Sequence, residues 1–240
     1  MIFFLIGKGG SGKDTILQEL LKQFSLQDRD VGNELKQLVT YTTRPMREGE
    51  KDGVEYHFVD IKTLKKMNRQ KKILELRKYR VATGDKWYYF TADDGQINEL
   101  NDLILVGPLK QYTELNKRLT TPIIPIYIKV DDSVIKKRMY KRESKQENPN
   151  YDEVDRRIEA DRKDFKNIKD IEGLVEVDNN GSLSSTVLHL TNIITNMTNS
   201  YYMLKAEVLG IRKTESQSVT EFTECSEGSI NIFEKDTIDK

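Results

Sequence analysis

Six apolar residues open the chain, Met1-Ile-Phe-Phe-Leu-Ile6, and a glycine-rich stretch from Gly7 to Gly12 follows them. Beyond it Ile16, Leu17, Leu20, Leu21 and Phe24 recur at helical spacing, so the pattern predicts a buried strand, a loop and a helix. Two further apolar runs, Leu103-Ile-Leu-Val106 and Ile123-Ile-Pro-Ile-Tyr-Ile128, predict strands. A weaker strand covers Leu174 to Val177, ahead of the turn formers Asp178, Asn179, Asn180 and Gly181. Helices are expected between these strands near residues 109–119, 133–142 and 151–169, with a last one near 184–195. Strands that alternate with helices predict an α/β fold around a parallel sheet, with right-handed crossovers and a ligand site at the carboxyl ends of the strands.

Two segments break the alternation. Residues from about 39 to 91 hold short alternating runs such as Tyr56-His-Phe-Val59 and Trp87-Tyr-Tyr-Phe90, which predict a small sheet-and-helix subdomain. Residues from about 138 to 157 are rich in arginine and lysine and carry Asn148-Pro149-Asn150 as a break, the pattern of a mobile, solvated segment. One domain over residues 1–195 is expected, followed by a polar, acidic extension over 196–240. In that extension Tyr201 to Ile211 has helical character and residues 214–240 have the composition of disorder.

Composition narrows the classes. Hydrophobic residues make up 37% of the 240 and charged residues 32%, which is globular and too polar for a membrane protein. The opening apolar run is far short of the ~20 residues that span a bilayer. One cysteine, Cys225, allows no intramolecular disulfide and no multi-cysteine metal site, and implies a reducing, cytoplasmic setting. Two histidines far apart in sequence, His57 and His189, argue against a histidine metal site and a serine-histidine hydrolase. The net charge of zero hides an asymmetry: residues 214–240 hold seven acids and two bases, which leaves the first 213 residues with 37 bases against 32 acids. A mildly basic body suits small anionic ligands and is too weakly charged to imply nucleic acid.

The chemistry concentrates first in Gly7-Lys-Gly-Gly-Ser-Gly-Lys13-Asp14-Thr15, between a predicted strand and a predicted helix. Gly7, Gly9, Gly10 and Gly12 remove side chains where backbone N–H groups must curl around phosphate oxygens, and the following helix points its positive end at them. Lys13 is placed to counter charge on the β- and γ-phosphates of a nucleotide, with Lys8 and Ser11 in the same loop. The usual pattern has serine or threonine directly after the lysine to help hold Mg2+. Here Asp14 stands there and Thr15 comes next, so metal handling passes to Thr15, to Asp14 or to water.

A second constellation reads Thr40-Tyr-Thr-Thr-Arg44-Pro-Met-Arg47-Glu-Gly49-Glu50-Lys-Asp-Gly53-Val-Glu-Tyr56. Two arginines three apart can present guanidinium forks to one phosphate dianion, and Tyr56 can add a hydroxyl. This segment resembles the GMP-binding segment of guanylate kinases, which has the pattern T-T-R-x-x-R-x-G-E-x-x-G-x-x-Y. With the phosphate loop, the resemblance extends over roughly residues 1–195. It implies a P-loop core with a parallel sheet flanked by helices, a small α+β GMP-binding subdomain and a helical lid. It further implies transfer of a phosphoryl group from ATP, with Mg2+, to GMP by a monomer or homodimer.

Carried over residue by residue, the resemblance puts Thr40, Arg44, Arg47, Tyr56 and Tyr89 near the GMP phosphate. Glu75 and Thr91 fall on the guanine ring, where a carboxylate can accept from N1–H and the exocyclic amine together. Arg138 and Arg142 match paired lid arginines, Arg157 a later arginine that returns to the phosphates, and Asn179 a position near adenine. The chain departs from the family in two places. Phe90 replaces a glycine beside Tyr89, and Val106-Gly107-Pro108 replaces an acidic D-x-D pair, for which Asp93 and Asp94 are candidates to compensate in space. These departures keep two other readings open: a kinase acting on a different phosphorylated acceptor, such as another nucleotide or a ribose bisphosphate, and a binding module without catalysis.

Overall fold

The computed structural model describes residues 1–26, 34–80, 84–98 and 101–208, and the backbone of residues 221–224 and 230–233. β1 (Ile2–Ile6) is the middle strand of a five-stranded sheet, and all five of its side chains are buried. A strand buries both faces only when helices cover both sides of the sheet, and each apolar side chain sealed in this way contributes ~1.5–3 kcal/mol. β1 pairs in parallel with β7 (Asp102–Val106) on one side and β8 (Ile123–Lys129) on the other. β2 (Leu35–Gln37) flanks β7 and β9 (Val175–Asp178) flanks β8, giving the order β2-β7-β1-β8-β9. The winding therefore changes sense at β1, and a crevice opens beyond its carboxyl end.

Alternation along β1 decides what each face meets. Phe3 and Leu5 pack with α1 (Lys13–Leu26) and α6 (Leu183–Val208), whereas Ile2, Phe4 and Ile6 pack with Tyr112 and Leu115 of α3 (Leu109–Arg118). The result is the expected parallel sheet between helical layers. β2 was not foreseen, because it is three residues long with one buried apolar side chain, Leu35. The last helix was expected near 184–195 and instead continues to Val208, across the boundary expected at 195. It is tied to the sheet at Asp102, whose Oδ2 accepts from Thr198 Oγ1 at 2.7 Å. Asp102 Oδ1 accepts from the Met1 amine at 2.9 Å.

The expected subdomain is a four-stranded sheet, β4-β3-β6-β5, built from β3 (Tyr41–Thr42), β4 (His57–Phe58), β5 (Ile73–Arg80) and β6 (Lys86–Ala92). α2 (Ile61–Arg69) covers it, capped by the Asp60 carboxylate, which accepts from the Thr63 N–H at 2.7 Å. Leu64, Phe90 and Ala92 form its small core. The arginine-rich segment falls on α4 (Asp132–Glu143), a connecting loop and α5 (Tyr151–Asp164), which pack through Ile135, Met139, Val154 and Ile158. The helix expected to reach 169 stops at Asp164, and a 3-10 turn at Ile168–Asp170 follows.

The expected disorder of residues 214–240 lies outside the described residues, apart from β10 (Glu221–Glu224) and β11 (Ile230–Phe233), an antiparallel pair. Cys225 also lies outside them. Among the described residues no helix is long and apolar enough to cross a membrane.

Candidate active site

The glycine-rich loop leaves the carboxyl end of β1 and enters α1, at the crevice that the strand order creates. Gly10 and Gly12 adopt φ of 79° and 91°, a backbone region that side chains with a Cβ rarely occupy. Space closes in as well: a Cβ on Gly7 would stand 2.9 Å from the Ile128 carbonyl oxygen, and one on Gly10 2.9 Å from Met139. Lys13 folds back over this loop, and its Nζ donates to the carbonyls of Gly7 and Lys8 at 2.7 and 2.9 Å and to Ser11 Oγ at 3.3 Å. Burial pushes the Lys13 amine below its usual pKa, against a smaller opposing pull from Asp14 and Asp161. Asp14 and Thr15 are exposed on the first turn of α1. Ser11 is fully buried.

Asn179 is buried at the end of β9, with both ends of its side chain engaged. Nδ2 donates to the Ser11 carbonyl at 2.8 Å, and Oδ1 accepts from Thr186 Oγ1 at 2.9 Å. Its own carbonyl accepts from Arg138 Nη2 at 2.9 Å. An approach to adenine is expected of it; in this structure the side chain holds the glycine-rich loop against β9, with Arg138 fastened to the same residue. Lys8 is ion-paired to Asp132 at 2.6 Å, and Arg162 meets the same carboxylate at 3.1 Å.

Arg142 and Arg157, from α4 and α5, line an open cleft of about 680 Å³ with Glu143 and Glu147. Arg47 reaches the same cleft from the opposite side, on the subdomain. Residues from distant parts of the chain thus bring three guanidinium groups to one space, which a polyanion would neutralise. Arg157 is also bound to Glu153 at 2.8 Å, as an i,i+4 pair on an exposed helix face.

The two motif arginines part ways. Arg47 is exposed, whereas Arg44 is buried and directs its fork onto Glu50 at 2.8 and 2.9 Å, beside the rings of Tyr56 and Phe58. Both forks are expected to point at one ligand; in this structure the Arg44 fork faces Glu50, a counter-charge for a guanidinium this deep. Tyr56 meets Tyr89 edge-on at 5.6 Å, and burial raises its phenol pKa. Thr40 is buried, and its carbonyl accepts from the His57 N–H at 2.8 Å.

The sequence profile described as Guanylate kinase matches residues 2–197. The chain belongs to the guanylate kinase family. The guanylate kinase of Zymomonas mobilis is 40% identical over 75 residues, 31% of each chain. That of Desulfotalea psychrophila is 32% identical over 150 residues, which are 61% of this chain and 68% of the relative. The alignments to the first curated relatives span about a third of their length. Among solved structures, the guanylate kinase of Anaplasma phagocytophilum superimposes with a TM-score of 0.55 at 17% identity, covering 82% of this chain and 85% of the other, a likeness of fold.

Within this guanylate kinase family member, β5 and β6 present one shared face. Glu75 stands opposite Thr91 and Arg77 opposite Tyr89. Glu75 is 3% exposed and holds two partners: Arg77, whose Nε and Nη2 donate to Oε2 and Oε1 at 3.0 and 3.2 Å, and Thr91, whose Oγ1 donates to Oε1 at 2.9 Å. Gln111 extends the chain by donating to Thr91 Oγ1 at 3.1 Å. Phe90 points to the other face, where it is fully buried and stacks on Tyr41 at 5.0 Å, so its replacement of a glycine touches the subdomain core and not the face of Glu75.

Three residues of the site escaped the sequence reading. Arg77 was legible in principle, since it lies two positions from Glu75 on a strand and so on the same side. Gln111 and Asp161 carried no local signal. Asp161 of α5 accepts a hydrogen bond from the Gly9 N–H, a donor of the phosphate loop. Of the two candidates to compensate for the missing acidic pair, Asp94 is committed to Tyr41 and Gln96, both at 2.7 Å, and Asp93 is exposed.

Proposed function

We propose that the protein transfers the γ-phosphoryl group of ATP to GMP, giving ADP and GDP. The observation that carries this reading is the cleft in which Arg47, from the subdomain, meets Arg142 and Arg157, from α4 and α5. Transfer of this kind asks for positioning and charge neutralisation and no covalent protein intermediate. Arginines arriving from two sides supply both.

Lys13 and the N–H groups of Gly9 to Lys13 hold the β- and γ-phosphates, and Asn179 keeps that loop in shape. Arg138, Arg142 and Arg157 neutralise charge on the transferred group. Arg44, Arg47, Tyr56, Tyr89 and Thr40 place the GMP phosphate, so that one of its oxygens attacks the γ-phosphorus in line as the bond to the bridging oxygen of ADP breaks. Glu75 and Thr91 meet the base. Among the described residues no cluster of three or more metal-ligating side chains exists, which fits Mg2+ arriving on ATP with most of its ligands from phosphate and water. The exposed Thr15 hydroxyl and Asp14 carboxylate are the side chains placed to meet it. When bound, Mg2+ offsets the negative charge of the phosphates. The single cysteine supports a cytoplasmic setting, and the charge balance supports small-molecule substrates over nucleic acid, with the chain acting as a monomer or homodimer.

A coupled assay of ADP release with ATP, Mg2+ and GMP tests the reading. Turnover that disappears in Lys13→Ala supports it, and no turnover above that variant removes it.

A further inference from the structure

Glu75 is the carboxylate that the proposed function sets against the acceptor base, and it is not free. A carboxylate offers about four lone-pair directions on its two oxygens. Three are taken: Oε1 accepts from Arg77 Nη2 and from Thr91 Oγ1, and Oε2 accepts from Arg77 Nε. One direction on Oε2 remains for a ligand. A base edge that presents two adjacent N–H donors needs both oxygens, so only one of its donors can be met in full.

Arg77 changes the edge in a second way. It is 8% exposed, spends two of its five N–H groups on Glu75 and stands 5.9 Å from the Tyr89 ring, on the strand face shared with Thr91. The fork meets Glu75 side-on through Nε and Nη2, so the remaining N–H groups lie at the Oε1 end, away from the open direction on Oε2. The pair therefore offers one open acceptor, with little net charge. Its complement is a single ring N–H, the N1–H of a 6-oxopurine. Guanine has that group, and so does hypoxanthine, which lacks only the 2-amino group. Adenine has an unprotonated nitrogen there.

We infer that the acceptor site takes 6-oxopurine nucleoside monophosphates as a class, IMP as well as GMP, and that Arg77 is the residue that sets this breadth. The inference rests on the GMP reading of the site. A site built to bond the 2-amino group would reject a nucleotide lacking it by ~10⁴-fold or more, because its buried acceptor would be left unpaired. Here that acceptor is already paired with Arg77, so the penalty is largely absent.

The test compares kcat/KM for GMP, IMP and AMP in the wild-type protein, Arg77→Ala and Arg77→Lys, each checked for folding by circular dichroism. The expected result is IMP within roughly a hundredfold of GMP in the wild type, with AMP below both. In Arg77→Ala the freed carboxylate meets both N–H donors of guanine, and the GMP-to-IMP ratio is expected to rise by ~10-fold or more. Arg77→Lys keeps a cation beside Glu75 while loosening the fork, and moves the ratio the same way; it carries the variant arm if Arg77→Ala does not fold. IMP more than a hundredfold below GMP in the wild type, or an unchanged ratio in a folded Arg77 variant, overturns the inference and leaves the GMP reading standing. Turnover of neither GMP nor IMP in the wild type removes that reading and this inference with it.

Discussion

The carboxylate of Asp161 accepts a hydrogen bond from the backbone N–H of Gly9, so a side chain of α5 stands at a donor that the glycine-rich loop would offer to a nucleotide. An anion already at that donor competes with the incoming phosphate, both for the hydrogen bond and through its charge near Lys13. Asp161→Ala is therefore expected to tighten ATP binding by roughly fivefold, the equivalent of ~1 kcal/mol. Isothermal titration with ATP in the absence of acceptor checks this; equal or weaker binding would show that the contact supports the loop and does not compete with the ligand.

Arg44 and Glu50 form a closed fork beneath Tyr56, on the acceptor side of the molecule. Substitution of Arg44 by alanine is expected to lower kcat/KM for GMP by ~10²-fold, since misplacement of an acceptor phosphate is that costly. The KM for ATP should stay close to the wild-type value. Steady-state kinetics with each substrate varied in turn separates the two effects, and an equal loss on both sides would mean that the fork only holds the subdomain together.

Phe90 fills the subdomain core, with no exposure and a ring stacked on Tyr41. Phe90→Ala should cost ~3–5 kcal/mol of stability, seen as a lower midpoint in urea denaturation. The acceptor KM, measured where the variant is still folded, should change by no more than about threefold. A large rise in KM with little loss of stability would place Phe90 on the ligand side instead.

Lys13 has a lowered amine pKa because burial disfavours its charged form. Bound phosphate favours the charged form, so ATP affinity requires protonated Lys13. Affinity should weaken as pH rises through the pKa of Lys13 in the free protein, beginning below the 10.5 of an ordinary lysine. The stability arithmetic has the matching sign: at pH below the lowered pKa the folded state carries the full penalty of a buried cation, and the penalty fades as pH rises toward the unfolded value. Kd for ATP measured between neutral and alkaline pH decides the matter, and an affinity that holds steady up to 10.5 would count against it.

The phosphate loop, the parallel core and the arginine motif were all legible in the sequence, because each is written in neighbouring residues. Glycine spacing, strand and helix lie side by side around Lys13, and Arg44, Glu50 and Tyr56 fall within thirteen positions. What could not be read was the choice of partner. Nothing local says that Asn179 will reach Ser11, 168 positions away, or that Gln111 will find Thr91. The direction of Phe90 was hidden for a different reason: a family pattern draws attention to the residue replaced, while the period-two geometry of β6 decides which way the new side chain points.

The bond between Thr198 and Asp102 makes the folding unit longer than the unit of kinship. The Guanylate kinase profile ends at residue 197, one position before the hydroxyl that serves Asp102 Oδ2 at 2.7 Å in a site 2% exposed. A chain trimmed at that limit would leave one oxygen of a buried carboxylate without its donor, at a cost of ~1–3 kcal/mol, and would cut α6 eleven residues short of its end at Val208.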